Sequence, residues 1–170
     1  MREAQQGSAA AMARLYSLHW RSAYRAAYLV VHDAAAAEDV AQDAFLAAVG
    51  ALDRFDRRRP FGPWLHRIVI NRALDWARRE ALRRKVAREE SVFEPLPPPR
   101  EVSGEMIVAL KELPAEQRAV VVLRHLLEYT PGEIAEMLEL PRGTVNSRLR
   151  RGLDSLREAA EAVLDAEAGR

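Results

Sequence analysis

The stretch YTPGEIAEMLELPRGTVNSRLRRGLDSLREAAEAVL, residues 129–164, decides the fold of the carboxyl-terminal part of the chain. Thr130 before Pro131, with Glu133 three residues after the threonine, is the pattern of a capped helix start. A turn follows at 139–141, and apolar side chains then recur at helical spacing. The recurring residues, which we expect to be buried, are Val145, Leu149, Leu153, Leu156, Ala160 and Val163. A short helix, a tight turn and a longer helix together predict a helix-turn-helix.

The longer of these helices is basic on its outer side. Residues 140–153 contain four arginines and no acidic residue, although the whole chain has a formal net charge of only +1. The side chains that fall away from the apolar stripe form one patch: Asn146, Ser147, Arg150 and Arg151. Arginine can bond guanine or a phosphate, and asparagine can pair with adenine. We therefore expect this patch to bind DNA, with an ordinary solvated basic face as the alternative.

The middle of the chain is more basic still. Residues 54–88 contain 12 basic and 3 acidic side chains, whereas residues 89–170 contain 10 basic and 16 acidic ones. Four aromatic residues interleave with the basic middle: Phe55, Phe61, Trp64 and Trp76. Aromatic rings beside arginines stack unpaired bases and hold their backbone. The pattern favours a nucleic-acid surface over a solvated arginine-rich one, although Trp76 also continues a helical side with Leu65, Ile68 and Val69 and is assigned to the core.

The rest of the chain is also helical in pattern. A first stripe comprises Tyr16, Trp20, Tyr24, Ala27, Tyr28 and Val31, and a second comprises Ala41, Ala44, Phe45, Ala48 and Leu52. A third helix is predicted to start near Pro63. Four prolines in 91–103 deny a helix its donors and predict a linker, with a surface loop as the alternative. The fold class is therefore all-α, with two small helical domains, 1–90 and 104–170, joined by a proline-rich linker.

Several classes of protein are disfavoured by what the sequence lacks. It has no cysteine, so it has neither a disulfide nor a thiolate metal site. There is no run of 18 apolar residues and no apolar signal core at the start, so we expect a cytoplasmic protein without a membrane span. The four histidines are scattered, and no HExxH motif or glycine-rich phosphate loop occurs. We therefore expect no catalytic residue, no metal site and no cofactor, which disfavours an enzyme such as a nuclease.

Three segments together resemble the extracytoplasmic-function (ECF, group 4) sigma factors of bacterial RNA polymerase, in the sigma-70 family. AAAEDVAQDAFLAAV (35–49) is similar to their first conserved segment, and FGPWLHRIVINRALDWARR (61–79) to their second. Residues 113–158 are similar to their carboxyl-terminal domain. Glu139 departs from the family pattern, which usually has glycine there, so we expect this turn to manage without an easy positive φ. Asn146 also departs, since family members often carry lysine or arginine there, so we expect an altered preference for the upstream promoter element.

The resemblance implies a factor that binds core RNA polymerase, through the clamp coiled coil and the flap of the two large subunits, and opens promoter DNA. The implied polymerase contacts are Asp39, Gln42, Asp43 and Leu46. The implied contacts to the unpaired −10 element are Phe61, Trp64, Arg67, Asn71, Arg72, Asp75, Arg78 and Arg79. The implied contacts to the double-stranded −35 element are Arg118, Arg142, Thr144, Asn146, Ser147, Arg148, Arg150 and Arg151. An anti-sigma factor is an expected further partner.

Three alternatives stay open at the level of sequence. The acidic side of 35–49 is also consistent with an ordinary solvent face, and its carboxylates with a divalent-cation site, although no loop geometry supports a cation. A stand-alone regulator that binds its operator as a dimer explains the helix-turn-helix. It leaves 35–79 unexplained.

Overall fold

The computed structural model describes residues 1–86 and 102–168. Most of the predicted linker, 91–101, lies outside the described residues. The chain divides into two compact units, Met1–Leu96 and Pro97–Arg170. All regular elements in the described ranges are helical, as the sequence predicted. Within the same ranges, no helix combines the length and apolar character that a membrane crossing needs.

In the first unit, residues 1–86 form the helices α1 (Arg2–Gln5), α2 (Ala9–Val31), α3 (Ala34–Gly50) and α4 (Phe61–Val86), with a 3-10 turn at Leu52–Arg54. The three long helices pack against one another in pairs. The hydroxyl of Ser8 caps α2 by accepting from the Ala11 N–H, and the carboxylate of Asp33 caps α3 by accepting from the Ala36 N–H at 2.8 Å. These caps satisfy N–H groups that a helix start otherwise leaves without a partner.

The buried face of α3 is the one that the sequence predicted. Its members are Ala41, Ala44, Phe45, Ala48 and, in the following turn, Leu52. The three small alanine side chains of this face let α2 and α4 approach α3 closely, which explains an alanine-rich helix in a packed core. Tyr16 of the first predicted stripe is an exception on α2, because 43% of its surface is exposed.

The buried face of α4 differs from the prediction. The helix begins at Phe61, two residues before the predicted start. Its core residues are Leu65, Val69, Ile70, Ala73 and Leu74. Ile68, Arg72 and Trp76, which the sequence put on the core side, are only half-buried. The reason is that α4 packs on α2 and on α3 at once, so its apolar face is wider and rotated from a single stripe.

In the second unit, residues 102–168 form the α-helices α5 (Gly104–Glu112), α6 (Ala115–Val121), α7 (Pro131–Leu138) and α8 (Arg142–Ala168). The predicted capping box of α7 is present. The Thr130 N–H donates to Glu133 Oε2 at 2.7 Å, and the Glu133 N–H donates to Thr130 Oγ1 at 3.3 Å. Helices α7 and α8 form the predicted helix-turn-helix.

The buried stripe predicted for α8 fails after its second member: Leu156 is half-buried and Ala160 is exposed, while the side chain of Val163 lies outside those that the structure describes. Val145 and Leu149 are buried, but Leu153 is 37% exposed and Gly152 is buried in its place. Gly152 lies seven residues after Val145, a rotation of 700° that is within 20° of two full turns. Leu153 lies eight residues after Val145 and overshoots two turns by 80°. Gly152 lies against Val121, and a Cβ atom added to it would lie 2.9 Å from Val121 Cγ2. The absence of a side chain therefore sets how closely α6 and α8 approach.

The turn between α7 and α8 does use a positive φ, contrary to the expectation from sequence. Glu139 adopts the left-handed conformation with a φ of 54°, and its N–H donates to the Ala135 carbonyl. This is the conformation that the usual glycine adopts freely. A residue with a Cβ atom pays about 1–2 kcal/mol for it.

The helical stretch from Ala115 to Leu126 is not uniform. It is α-helical only to Val121, and a π-helical turn then covers Val122–Leu126. The Leu127 N–H donates to the Val122 carbonyl, five residues back, at 3.1 Å. Glu128 follows with a φ of 61°. The π-helical turn adds one residue to the helix just before the helix-turn-helix begins.

Candidate DNA and polymerase interfaces

The predicted −35 patch occupies the first turns of α8. Arg142, Asn146, Arg150 and Arg151 are exposed, whereas Val145 of the same helix is buried. Three further predicted contacts are half-buried: Thr144, Ser147 and Arg148. The Ser147 hydroxyl donates to the Thr144 carbonyl at 3.1 Å, which keeps this short side chain folded onto its own helix. The result is a low, basic surface that is able to approach a groove floor.

Arg118, also predicted at the −35 element, is bound to the protein itself. Its Nη2 donates to the carbonyl of Leu113 at 2.8 Å and to that of Lys111 at 3.3 Å. Burial lowers the pKa of its guanidinium to about 10, partly offset by nearby Glu112. These bonds satisfy carbonyls at the end of α5, where a cation is stabilising. The geometry gives Arg118 a structural role at the joint between α5 and α6.

Most of the predicted −10 contacts on α4 share its outer face. Asn71, Asp75, Arg78 and Arg79 are exposed, while Arg67 and Arg72 are half-buried. The Asp75 carboxylate lies 3.3 Å from the Arg78 guanidinium. Arg79 Nε donates to the Asp75 carbonyl at 3.2 Å. Asp75 thus orients two arginines along one side of the helix.

The aromatic rings before and within α4 form a cluster. The ring centroids of Phe55 and Trp64 are 4.7 Å apart, those of Phe61 and Trp64 are 5.6 Å apart, and Phe61 also contacts His19. Phe55 and Phe61 are buried, whereas Trp64 is half-buried. Phe61 is only 8% exposed. It cannot offer a ring face to DNA without leaving the core, so its position corrects the expectation of a base contact and makes it a support for Trp64.

A short arginine-bearing turn, residues 56–60, precedes α4. The Asp56 carboxylate accepts from the backbone N–H of Arg58 at 3.0 Å and from its guanidinium at two points. These hydrogen bonds lower the pKa of Asp56, so the carboxylate stays ionised and the turn stays closed. Arg57, Arg58 and Arg59 are all exposed at its tip. The sequence marks this turn by its charge and by a break in the helical pattern at Pro60 and Gly62, but it does not show the hydrogen bonds that hold the turn.

The predicted polymerase contacts lie on the outer face of α3. Asp39, Gln42, Asp43 and Leu46 are all exposed, Leu46 to 70%. The Gln42 amide donates to Glu38 Oε1 at 3.1 Å, one helical turn earlier. The carboxylate of Asp43 lies 3.7 Å from the Arg72 guanidinium of α4. The outer face of α3 is therefore acidic, with the apolar side chain of Leu46 among its polar ones.

An apolar groove of about 370 Å³ runs beside this face, between α2 and α3. Gln42 and Leu46 form part of its wall. The other lining residues are Met12, Ala13, Leu15, Tyr16, Phe45, Val49, Leu52 and Phe61. Sequence reasoning missed the α2 wall because it assigned Tyr16 to the core. The only signal available was that Met12 and Leu15 extend the apolar stripe by one more turn.

Comparison with known proteins agrees with this architecture. Residues 15–83 match the family model described as Sigma-70 region 2, and residues 103–156 match Sigma-70, region 4. The ECF RNA polymerase sigma factor SigW of Bacillus subtilis is 31% identical, with 93% of each chain covered. The ECF RNA polymerase sigma factor SigM of Mycobacterium tuberculosis is 36% identical over 85% of this chain and 74% of its own. The solved structure of CnrH in complex with the cytosolic domain of CnrY is 31% identical, with a TM-score of 0.68 over 97% of this chain and 94% of that chain.

The two helical units and their family matches define a sigma factor of RNA polymerase, a class of transcription initiation factors. Within that class, the chain belongs to the ECF sigma factors of the sigma-70 family. Such a factor binds core RNA polymerase and directs initiation at specific promoters.

Proposed function

We propose that this ECF sigma factor divides its work among three surfaces: the acidic face of α3, the outer face of α4 with its preceding turn, and the basic face of α8. The observation that carries the proposal is that each surface is exposed on a different helix and has its own chemistry. Each surface suits a different partner. The first is acidic beside an apolar groove, the second has aromatic rings beside arginines, and the third is a basic helix-turn-helix. We further propose the domain limits 1–90 and 104–170 with a linker over 91–103.

The α3 face and the apolar groove bind core RNA polymerase, at the clamp coiled coil of its largest subunit. An acidic rim around Leu46 complements a basic helix, and the groove accepts the apolar side chains of such a helix. Asp39, Gln42 and Asp43 supply the polar part of this contact. The second unit contacts the flap of the other large subunit.

The α4 face binds the unpaired −10 strand. Trp64 provides a stacking surface at the edge of the aromatic cluster, and Asn71 offers an amide that can hydrogen-bond a base edge. Arg67, Arg78 and Arg79 hold phosphates. Arg72 shares this task while it remains close to Asp43.

The α8 face enters the major groove of the −35 element. Arg150, Arg151 and Asn146 contact base edges or phosphates, and Arg142 and Arg148 add phosphate contacts near the start of the helix. Ser147 and Thr144 lie close to the groove floor. Arg118 supports this domain through α5 and α6, and any backbone contact that it makes is secondary.

The factor acts without catalysing a reaction, in the cytoplasm, where polymerase and DNA are found. We also propose an anti-sigma factor as its regulator. Support comes from the structure of CnrH, which was solved in complex with the cytosolic domain of CnrY. The apolar groove with its exposed leucine is a surface that an inhibitor is able to cover.

A promoter-directed transcription assay tests the function as a whole. Core RNA polymerase with the full-length factor is given a library of random DNA fragments, and the transcripts are sequenced. We expect 5′ ends that share two conserved elements upstream, absent when the factor is omitted. Leu46→Glu should abolish factor-dependent transcripts, whereas Leu18→Glu, at another exposed leucine of the same unit, should not. Transcripts without any shared element would contradict the proposal.

A further inference from the structure

One side chain ties helix α1 to the segment that precedes the arginine-bearing turn. Gln5 Nε2 donates to the carbonyl of Leu52 at 2.8 Å and to the carbonyl of Phe55 at 3.0 Å. A primary amide has two N–H donors, so one glutamine can satisfy both carbonyls at once. The two hydrogen bonds join Gln5 to residues that lie 47 and 50 positions later in the chain. Gln5 therefore fixes both ends of the 3-10 turn that leads into residues 56–60.

Helix α1 is itself held firmly, so Gln5 has a fixed base. Ala4 is 1% exposed, and Arg14 Nη2 donates to Glu3 Oε2 at 2.8 Å across to α2. Gly7, with a φ of 84°, turns the chain between α1 and α2. The Ser8 N–H closes this turn by donating to the Glu3 carbonyl at 3.0 Å.

The segment that Gln5 holds displays the arginine-bearing turn. Phe55, a member of the aromatic cluster, is buried and comes directly before Asp56. At the other end, burial of Phe61 fixes the start of α4. The turn is thus held by hydrogen bonds at one end and by packing at the other. Its three exposed arginines and neighbouring Trp64 keep a defined spacing as a result.

We propose that Gln5 is a positioning residue for reading the unpaired −10 strand: its amide holds the carbonyls of Leu52 and Phe55 so that the turn at 56–60 and Trp64 meet DNA in one geometry. This inference rests on the function proposed for α4. A preorganised loop loses less entropy on binding, and it discriminates better because a wrong base cannot be accommodated by movement of the loop.

The sharpest test exchanges the donor for an acceptor of the same size. Gln5→Glu removes both N–H donors and sets a carboxylate against two carbonyls. Gln5→Met removes the donors without adding a charge. Gln6→Glu is the matched control, because it makes the same exchange at the neighbouring, exposed glutamine and leaves Gln5 in place. Each full-length variant is combined with core polymerase and transcribed from a library randomised at the −10 element behind a fixed −35 element taken from the wild-type transcripts.

Both Gln5 variants should lose about tenfold in discrimination between the preferred and the next-best −10 sequences, the scale of one or two net hydrogen bonds. Their affinity for core polymerase and their dependence on the −35 element should match wild type and Gln6→Glu, and Gln6→Glu should also keep the wild-type −10 discrimination. Amide hydrogen exchange should rise at residues 52–60 while α2 and α4 stay protected. This last measurement distinguishes a loosened turn from an unfolded unit.

Three outcomes would overturn the inference. The first is unchanged −10 discrimination in both variants. The second is a parallel loss of polymerase affinity and −35 dependence, which would show that Gln5 only stabilises the unit. In the third, the wild-type factor itself fails to discriminate at the −10 element, in which case the function proposed for α4 fails and the role of Gln5 fails with it.

Discussion

The carboxylate of Asp43 on α3 lies 3.7 Å from the guanidinium of Arg72 on α4. Both side chains are substantially exposed, so the pair contributes at most about 1 kcal/mol to the fold. Its interest lies in its position. Asp43 belongs to the surface proposed for polymerase, and Arg72 to the surface proposed for the −10 strand, so the ion pair joins the two.

Neutralising Asp43 tests whether this pair serves binding more than folding. Asp43→Asn should change the free energy of unfolding by less than about 1 kcal/mol, because an exposed ion pair is screened by water. Affinity for core polymerase should fall several-fold, since a complementary charge is lost. Fluorescence anisotropy with labelled factor measures that affinity. Asp53→Asn, at an exposed acid outside the α3 face, is the control, and an equal loss there would count against the assignment.

Adding one methyl group at Gly152 should separate α6 from α8. The new Cβ atom of Gly152→Ala would lie 2.9 Å from Val121 Cγ2, and overpacking of this kind costs about 1–3 kcal/mol. Gly143→Ala, on the same helix with nothing within 4 Å of its Cβ position, is the matched control and should be neutral or slightly stabilising. Chemical denaturation followed by circular dichroism compares them. Val121→Ala should rescue Gly152→Ala; without rescue, the contact is not the cause.

Substitutions on α8 should separate base contacts from phosphate contacts. Asn146→Ala should relax preference at one −35 position, at a cost of about 1–3 kcal/mol if the amide reads a base. Arg142→Ala should weaken binding to all sequences and lower the salt slope by about 1 if it contacts a phosphate. Salt titrations of holoenzyme binding to promoter variants measure both. Arg157→Ala, where the guanidinium lies 3.3 Å from Asp154 further along α8, should change neither.

The first unit should lose stability in mild acid because of His66. This buried imidazole lies 2.7 Å from the Ser22 hydroxyl, and burial, with nearby His19, lowers its pKa to about 4. The unfolded chain, with a pKa near 6.5, binds a proton first, so stability is full above about pH 6.5 and falls as the pH drops towards 4. The loss is on the order of 2–3 kcal/mol.

Tryptophan fluorescence measures this loss selectively, because Trp20, Trp64 and Trp76 all lie in the first unit. Denaturation at pH 7 and pH 4.5 should show a much smaller difference in His66→Gln than in wild type. His125→Gln, at an exposed histidine of the second unit, should keep the full wild-type difference. A His66→Gln protein as acid-sensitive as wild type would assign the effect to other groups.

Glycine at position 139 should stabilise the second unit. Glu139 holds a φ of 54°, which costs a residue with a Cβ atom about 1–2 kcal/mol relative to glycine. Glu139→Gly should therefore raise the free energy of unfolding by about 1 kcal/mol, as seen by chemical denaturation. Glu136→Gly, inside α7, should lower it by a similar amount. If both variants are destabilised, contacts of the Glu139 side chain outweigh the backbone cost.

Local chemistry explains what could be read from the sequence. The capping box of Thr130 and Glu133 is complete within four residues, so it can be recognised from the sequence alone. The same holds for the alanine face around Phe45 on α3, since apolar spacing alone determines which side of a helix is buried. The fold class and the helix-turn-helix follow from such local signals.

Contacts between segments that lie far apart in the chain could not be predicted from the sequence. Gln5 carries no motif, and its two bonds join residues far apart in sequence. Leu153 looked like a core residue because leucine usually is, yet the close approach of α6 selects Gly152 instead. The burial of Phe61 has the same origin, because an aromatic residue beside arginines has the composition of a DNA contact whether or not its ring is accessible. The structure of each packed unit decides these cases.

The number of residues in the π-helical turn at Val122–Leu126 determines the direction in which α8 faces. One residue rotates a helix by 100°, so deleting any single residue from this turn restores an ordinary helical phase and swings the next two helices around the axis of α6. No side chain of the DNA-facing patch would be altered, but the patch would point elsewhere. With α8 at the −35 element, as proposed, we expect promoter choice to depend on the number of residues in this turn.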